Sequence, residues 1–131
     1  MNTSTNQNQD TRVCFLTGAS KRLGACTAKK FHAEGFNVII HYNSSKSEAD
    51  SLVAQLNANR ADSAFCLQAD LTDHEQVQSL ARLAFDCFQR VDILINNASA
   101  FYTTPLAECD HKAWDDLFDS NLRAGFFLAQ Q

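Results

Sequence analysis

Residues 17–24 read Thr-Gly-Ala-Ser-Lys-Arg-Leu-Gly, a composition and spacing suited to holding phosphate. An apolar run, Val13-Cys14-Phe15-Leu16, precedes them; it is too short for a helix and predicts a buried strand. Behind them Leu23, Cys26, Thr27, Lys30, Phe31 and Glu34 fall on i, i+3, i+4 spacing, a mostly apolar helical stripe. A strand that turns through glycines into a helix aims the helix's unpaired N–H groups, and the positive end of its dipole, at whatever occupies the turn. Gly18 permits the tight turn and Gly24 lets the helix lie close to the sheet. Arg22 stands where a middle glycine would complete the usual glycine pattern. Three more polar clusters close apolar runs further along: His41-Tyr42-Asn43-Ser44-Ser45, Asp70-Leu71, and Asn96-Asn97-Ala98-Ser99.

The elements that must carry these clusters alternate. Gly35 supplies a helix stop, and residues 36–41 predict a second strand. Ser45 and Glu48 have capping-box spacing before a helix with Ala49, Leu52, Val53 and Leu56 on one face. Residues 64–67 predict a third strand. Thr72 and Glu75 suggest a second capping box, ahead of an amphipathic stripe of Val77, Leu80, Ala81, Ala84, Cys87 and Phe88. Residues 91–95 predict the fourth strand. After a loop containing the only proline, Pro105, an uncapped helical stripe runs through Trp114, Leu117, Phe118, Asn121, Leu122, Gly125, Phe126 and Ala129. Strands alternating with helices predict an α/β fold, a doubly wound parallel sheet of Rossmann-like type with strand order 3-2-1-4. Ligands of such sheets sit beyond the carboxyl ends of the strands, where all four polar clusters fall.

Composition narrows the function classes. A chain of 131 residues with 45% hydrophobic and 20% charged residues suits one soluble globular domain. A net charge of −4 has the wrong sign for nucleic acid or an anionic membrane surface. Five cysteines without a Cys-x-x-Cys pair read as small buried hydrophobes in a reducing compartment, and no metal site is expected. No apolar run is long enough to span a bilayer. Residues 1–11, rich in Asn, Gln, Thr and Ser, predict a disordered tail rather than a signal peptide, ahead of one domain at 12–131. A cytoplasmic location is expected.

Taken in order, the four clusters resemble the short-chain dehydrogenase/reductase family, with its Thr-Gly-x-x-x-Gly-x-Gly turn, its Asp after the third strand and its Asn-Asn-Ala-Gly after the fourth. Arg22 for the middle glycine, Ser99 for the last one, His41-Tyr42 and Phe101-Tyr102-x-x-Pro105 make the chain similar to the pteridine reductase branch. The resemblance implies a reductase transferring hydride from NADPH to a dihydropterin or dihydrofolate, homotetrameric at full length. It implies a cofactor site of Thr17, Gly18, Lys21, Arg22, Leu23, Gly24, His41, Tyr42, Ser44, Ser45, Asp70, Leu71, Asn97, Ala98 and Ser99. Asp70 and Leu71 would flank the adenine, Asn97 would support the ribose side, and Ser99 and Phe101 would meet nicotinamide and a stacked substrate ring. Asn121 matches the helix asparagine that organises the catalytic site. Plainer readings stand beside these: Asp70 as a helix-approach cap, Asn96-Asn97 as an Asx turn, Phe101 as a loop hydrophobe.

The choice of NADPH also has a chemical argument. NAD sites place an acid about 20 residues beyond the glycine turn, on the ribose 2′-OH. Here no carboxylate follows the second strand before Glu48, while Arg22, His41, Ser44 and Ser45 offer donors and charge for a 2′-phosphate. The family's catalytic Tyr-x-x-x-Lys has no counterpart: Tyr42 and Lys46 have the spacing but straddle a strand end and a helix start, and Tyr102 is followed by Leu106. The chain is therefore expected to be the cofactor-binding portion of such an enzyme. The alternatives are another short-chain reductase, such as a 3-oxoacyl carrier-protein reductase, or a nucleotide-binding domain without turnover.

Overall fold

The computed structural model describes residues 10–131, so the expected tail lies, for residues 1–9, outside the described residues. Four strands, β1 (Val13–Leu16), β2 (Asn37–Tyr42), β3 (Ala64–Gln68) and β4 (Ile93–Ile95), form one parallel sheet in the order β3-β2-β1-β4. β1 is central, with Phe15 opposite Ile39 on one side and Leu94 on the other. Helices α1 (Arg22–Ala33), α2 (Lys46–Asn59) and α3 (His74–Phe88) make the crossovers. Beyond β4 come a short 3₁₀ turn, α4 (His111–Phe118), a π-helical turn (Asp119–Arg123) and α5 (Ala124–Gln130).

The sheet is buried on both faces, as near-continuous apolar strands require. Val13, Phe15 and Ile39 pack with Leu80, Ala84 and Leu128 of α3 and α5 on one face. Cys14, Leu16, Val38 and Ile40 pack with Ala28, Leu52 and Leu56 of α1 and α2 on the other. Burial pushes the Cys14 thiol up to about 12, an inert core group.

Several local expectations need correction. The stripe through Leu23 and Cys26 is not the buried face of α1; Gly24, Ala28 and His32 are, and Leu23 is 73% exposed. Small residues let the helix approach the sheet, and a Cβ on Gly24 would meet Gly18 O and Asn97 Nδ2 at 2.7 Å. Neither capping box forms. Ser45 makes no side-chain cap bond. Asp73, not Thr72, caps α3, its Oδ1 accepting from the N–H groups of Glu75 and Gln76. β4 starts at Ile93, not Val91; just before it the Asp92 carboxylate takes the Val13 N–H at 2.7 Å, and the Asp92 N–H donates to Val13 O. The single helical stripe after Pro105 is broken by the π turn; Ala124 and Leu128 face the core, while Trp114, Phe118, Leu122 and Phe126 are exposed.

Candidate functional site

The turn after β1 is fixed from both neighbouring strands. From β4, Thr17 N–H donates to Ile95 O, and the Thr17 hydroxyl accepts from the N–H groups of Asn97 and Ala98 at 3.1 and 3.0 Å. The Asn97 side-chain amide donates to the carbonyls of Thr17 and Gly18. From β2, the Ala19 N–H donates to His41 O, and the Gly18 N–H donates to His41 Nδ1 at 3.0 Å. Gly18 has φ +60, and a Cβ there would meet Ala98 Cα at 2.7 Å, so this position needs glycine twice over, for conformation and for space.

His41 is thereby corrected. It was expected to bring donors and positive charge to a phosphate. Its ring is 2% exposed; Nδ1 accepts from Gly18, so the proton sits on Nε2, which donates to Ala69 O at 2.9 Å. Burial lowers its pKa, the Ala69 bond opposing only in part. A neutral ring with both nitrogens engaged positions the turn and the end of β3; it offers no charge.

Beyond the strand ends lies a cavity of about 610 Å³ lined by Gly18, residues 20–24, 41–45, 70–72 and 97–100, and Ser120. The fold thus brings together all the expected cofactor residues except Thr17, which is buried beneath the turn it braces. Phe101 stands outside this lining, 89% exposed. Asn121 is also outside it, but its carboxamide clamps the rim: Oδ1 accepts from Ala100 N–H, and Nδ2 donates to Ala100 O and Leu117 O. It sits in the π-helical turn, a helix defect frequent at functional sites. Asp70 closes a local turn, its Oδ1 accepting from the N–H and hydroxyl of Thr72, and Leu71 is buried against the core with its edge on the cavity.

Ser20, Asn43, Thr72, Ala100 and Ser120 also line the cavity, beyond the expected cofactor set. Ser20 was legible, since it lies inside the turn. Ser120 was not; it lies in the π turn, its hydroxyl donating to Asp116 O.

The donor set fits a nucleotide bearing phosphates. Lys21 is the N-cap of α1 and contributes no side-chain cap, so the first-turn N–H groups have no side-chain acceptor. The guanidinium of Arg22 and the hydroxyls of Ser20, Ser44 and Ser45 bond to nothing else among the described residues. Arg22 takes φ +51, the left-handed conformation that glycine adopts freely. Among the described residues Asp70 is the one carboxylate lining the cavity, and it already holds Thr72.

A family model described as short chain dehydrogenase matches residues 12–131. The chain is similar to pteridine reductase 1 of Leishmania tarentolae, 36% identical over 147 residues that cover 88% of this chain and 51% of that protein. It is similar to the 3-oxoacyl-(acyl-carrier-protein) reductase FabG of Staphylococcus aureus, 32% identical over 121 residues, 92% of this chain and 49% of that one. A 3-oxoacyl-(acyl-carrier-protein) reductase of Synechocystis matches at 35% over 117 residues, 89% of this chain and 47% of the other. The chain spans about half the length of these curated relatives.

Proposed function

The chain belongs to the short-chain dehydrogenase family, and we propose that it is the cofactor-binding portion of an NADPH-dependent reductase acting on a pterin or folate ring. The observation that carries the cofactor choice is the rim at the end of β2. Residues 42–45 supply no carboxylate for a ribose 2′-OH, while Lys21, Arg22, Ser44 and Ser45 all line the same cavity. A dianionic 2′-phosphate gains charge-assisted bonds there; a bare 2′-OH would leave the Arg22 guanidinium uncompensated.

In this reading the uncapped start of α1 holds the pyrophosphate. Asp70 and Leu71 border the adenine, and Asn97, Ala98 and Ser99 border the ribose and nicotinamide. The bound cofactor supplies the hydride. Phe101 offers a face for a flat heteroaromatic ring, and Asn121 holds the loop that carries it. The full-length protein is read as a cytoplasmic homotetramer.

Two features favour the pterin branch: Arg22 in the middle-glycine position, and the similarity to a relative named a pteridine reductase. The second reading, a 3-oxoacyl carrier-protein reductase, draws on relatives of nearly the same identity. The test is a paired titration with NADPH and NADH, then an assay of the protein carrying this chain with dihydrobiopterin and with a 3-oxoacyl thioester. Preference for NADPH of about tenfold or more and oxidation driven by dihydrobiopterin are expected. Equal cofactor affinities would remove the 2′-phosphate reading, and turnover of the thioester alone would replace the pterin with the second substrate class.

A further inference from the structure

Lys21 faces the cavity, yet it is not free. Its Nζ lies 3.2 Å from Glu48 Oε1, with both side chains about half exposed (50% and 48%). The other ion-paired lysines, Lys30, Lys46 and Lys112, each bond a carboxylate one turn along their own helix. Lys21 alone reaches across to a different element, tying the start of α1 to the first turn of α2. Glu48 is the first carboxylate after β2 and does not line the cavity. It sits one turn beyond Ser44 and Ser45, whose hydroxyls are uncommitted.

Two helix N-termini converge at this rim, and both favour negative charge. Glu48 is the resident anion there. Its own backbone N–H, then Lys21, holds its carboxyl below the ordinary carboxylate value, so it stays charged wherever the protein is handled. With Glu48 ionised, the rim carries two cations, Lys21 and Arg22, against one carboxylate. Without it, a phosphate dianion would face two uncompensated cations. Half-exposed pairs of this kind are weak and easily exchanged, so a stronger acceptor can displace the carboxylate.

We propose that Glu48 competes with the cofactor's 2′-phosphate for Lys21 and thereby sets how strongly the site selects a 2′-phosphorylated nucleotide. The proposal rests on the NADPH reading above. Glu48 acts through Lys21 and is a positioning residue: bound phosphate would draw the ammonium away from Glu48, and the ion pair would open as the ligand enters.

The test uses adenosine 2′,5′-diphosphate and AMP, which differ only in the 2′-phosphate and need no nicotinamide pocket. Glu48→Gln keeps an acceptor for the first-turn N–H while removing the charge. It is expected to tighten adenosine 2′,5′-diphosphate about threefold to tenfold at low salt, with the gain shrinking as salt rises. AMP affinity should not change, which also reports that the site is still folded. In a Lys21→Met background most of that gain should vanish. Unchanged or weaker binding of adenosine 2′,5′-diphosphate by Glu48→Gln overturns the proposal, as does a full gain without Lys21. If the unsubstituted protein binds adenosine 2′,5′-diphosphate no better than AMP, the NADPH reading itself falls and takes the proposal with it. Preferential binding with a ratio that ignores Glu48 sinks the proposal alone.

Discussion

Arg22 combines two demands that usually fall on different residues. Its φ of +51 carries a strain of about 1 kcal/mol for a side chain with a Cβ, and its guanidinium is unpaired at the cavity. Arg22→Gly should therefore raise the melting temperature while weakening NADPH; Arg22→Ala should weaken NADPH without the stability gain. The affinity loss expected for a charge-assisted contact is about tenfold to hundredfold, with NADH little affected. Equal losses for both nucleotides in a titration would show that Arg22 does not see the 2′-phosphate. A second residue-scale expectation comes from His41 and His32, both buried and both with pKa lowered chiefly by burial. In the unfolded chain each takes a proton near 6.5, whereas in the folded protein each stays neutral to lower pH. The unfolded state thus binds more protons below 6.5, and stability falls as pH drops from there toward the folded pKa, by up to about 1.4 kcal/mol per pH unit for each ring. The urea midpoint should drop between pH 7.5 and 5.5, above the range where carboxylates titrate; a flat midpoint would mean the rings charge freely when folded. This is also where sequence reading failed most instructively. The residue type at position 41 was visible, but its neutrality depends on Gly18 and Ala69, brought to it from 23 and 28 residues away.

The π-helical turn at Asp119–Arg123 breaks the stripe expected for the last helix, whereas the stripes expected for α2 and α3 hold. α2 and α3 carry their apolar residues at helical spacing without interruption, and the faces expected from sequence are the ones that pack, Ala49, Leu52 and Leu56 in one and Val77, Leu80 and Ala84 in the other. A π turn shifts the helical phase, so a stripe counted through it ends on the wrong side. Periodicity in one chain gives no sign of the shift, which lies where Asn121 bonds a loop 21 residues upstream. α1 was misphased for another reason: its contact face is made of small residues, Gly24 and Ala28, which a search for large apolar side chains passes over. Strand order and the location of the site were legible because a parallel β-α-β chain has few right-handed arrangements and puts every polar strand end on one edge. Asn121→Ala tests the clamp at this scale. It removes three hydrogen bonds from a partly solvated position, a loss of about 1–2 kcal/mol. Amide exchange should quicken at Ala100 and its neighbours while β1 and β2 stay protected. Unchanged exchange at Ala100 would mean the loop is held by something other than Asn121.

For the whole molecule, two surfaces lack a partner among the described residues. β4 lies at the sheet edge without a proline or lysine to guard it, and Trp114, Phe118, Leu122 and Phe126 form an exposed apolar row, Leu122 and Phe126 each 63% exposed. The 131-residue chain should therefore self-associate, and Leu122→Glu with Phe126→Glu should lower its apparent mass on sizing; a sharp monomer peak before substitution would contradict this. Catalysis by this chain alone is expected to fail for a related reason. Hydride arriving at a C=N bond leaves negative charge on nitrogen, and a placed acid must neutralise it, help that typically contributes about 10²–10⁴ in rate. Orientation of the substrate contributes a further large factor. The chain has two tyrosines. Tyr42 is buried at the end of β2, and the lysine four residues on, Lys46, is engaged with Asp50 at 2.6 Å. The Tyr102 hydroxyl points to Ala113 O at 3.5 Å. Neither hydroxyl is hydrogen-bonded to a lysine among the described residues. These 131 residues alone are thus expected to bind NADPH without reducing dihydrobiopterin or dihydrofolate, which an NADPH-oxidation assay reads directly. Turnover of about 1 s⁻¹ or more would mean that an acid is already in place, and loss of that turnover in Tyr42→Phe but not Tyr102→Phe would identify it.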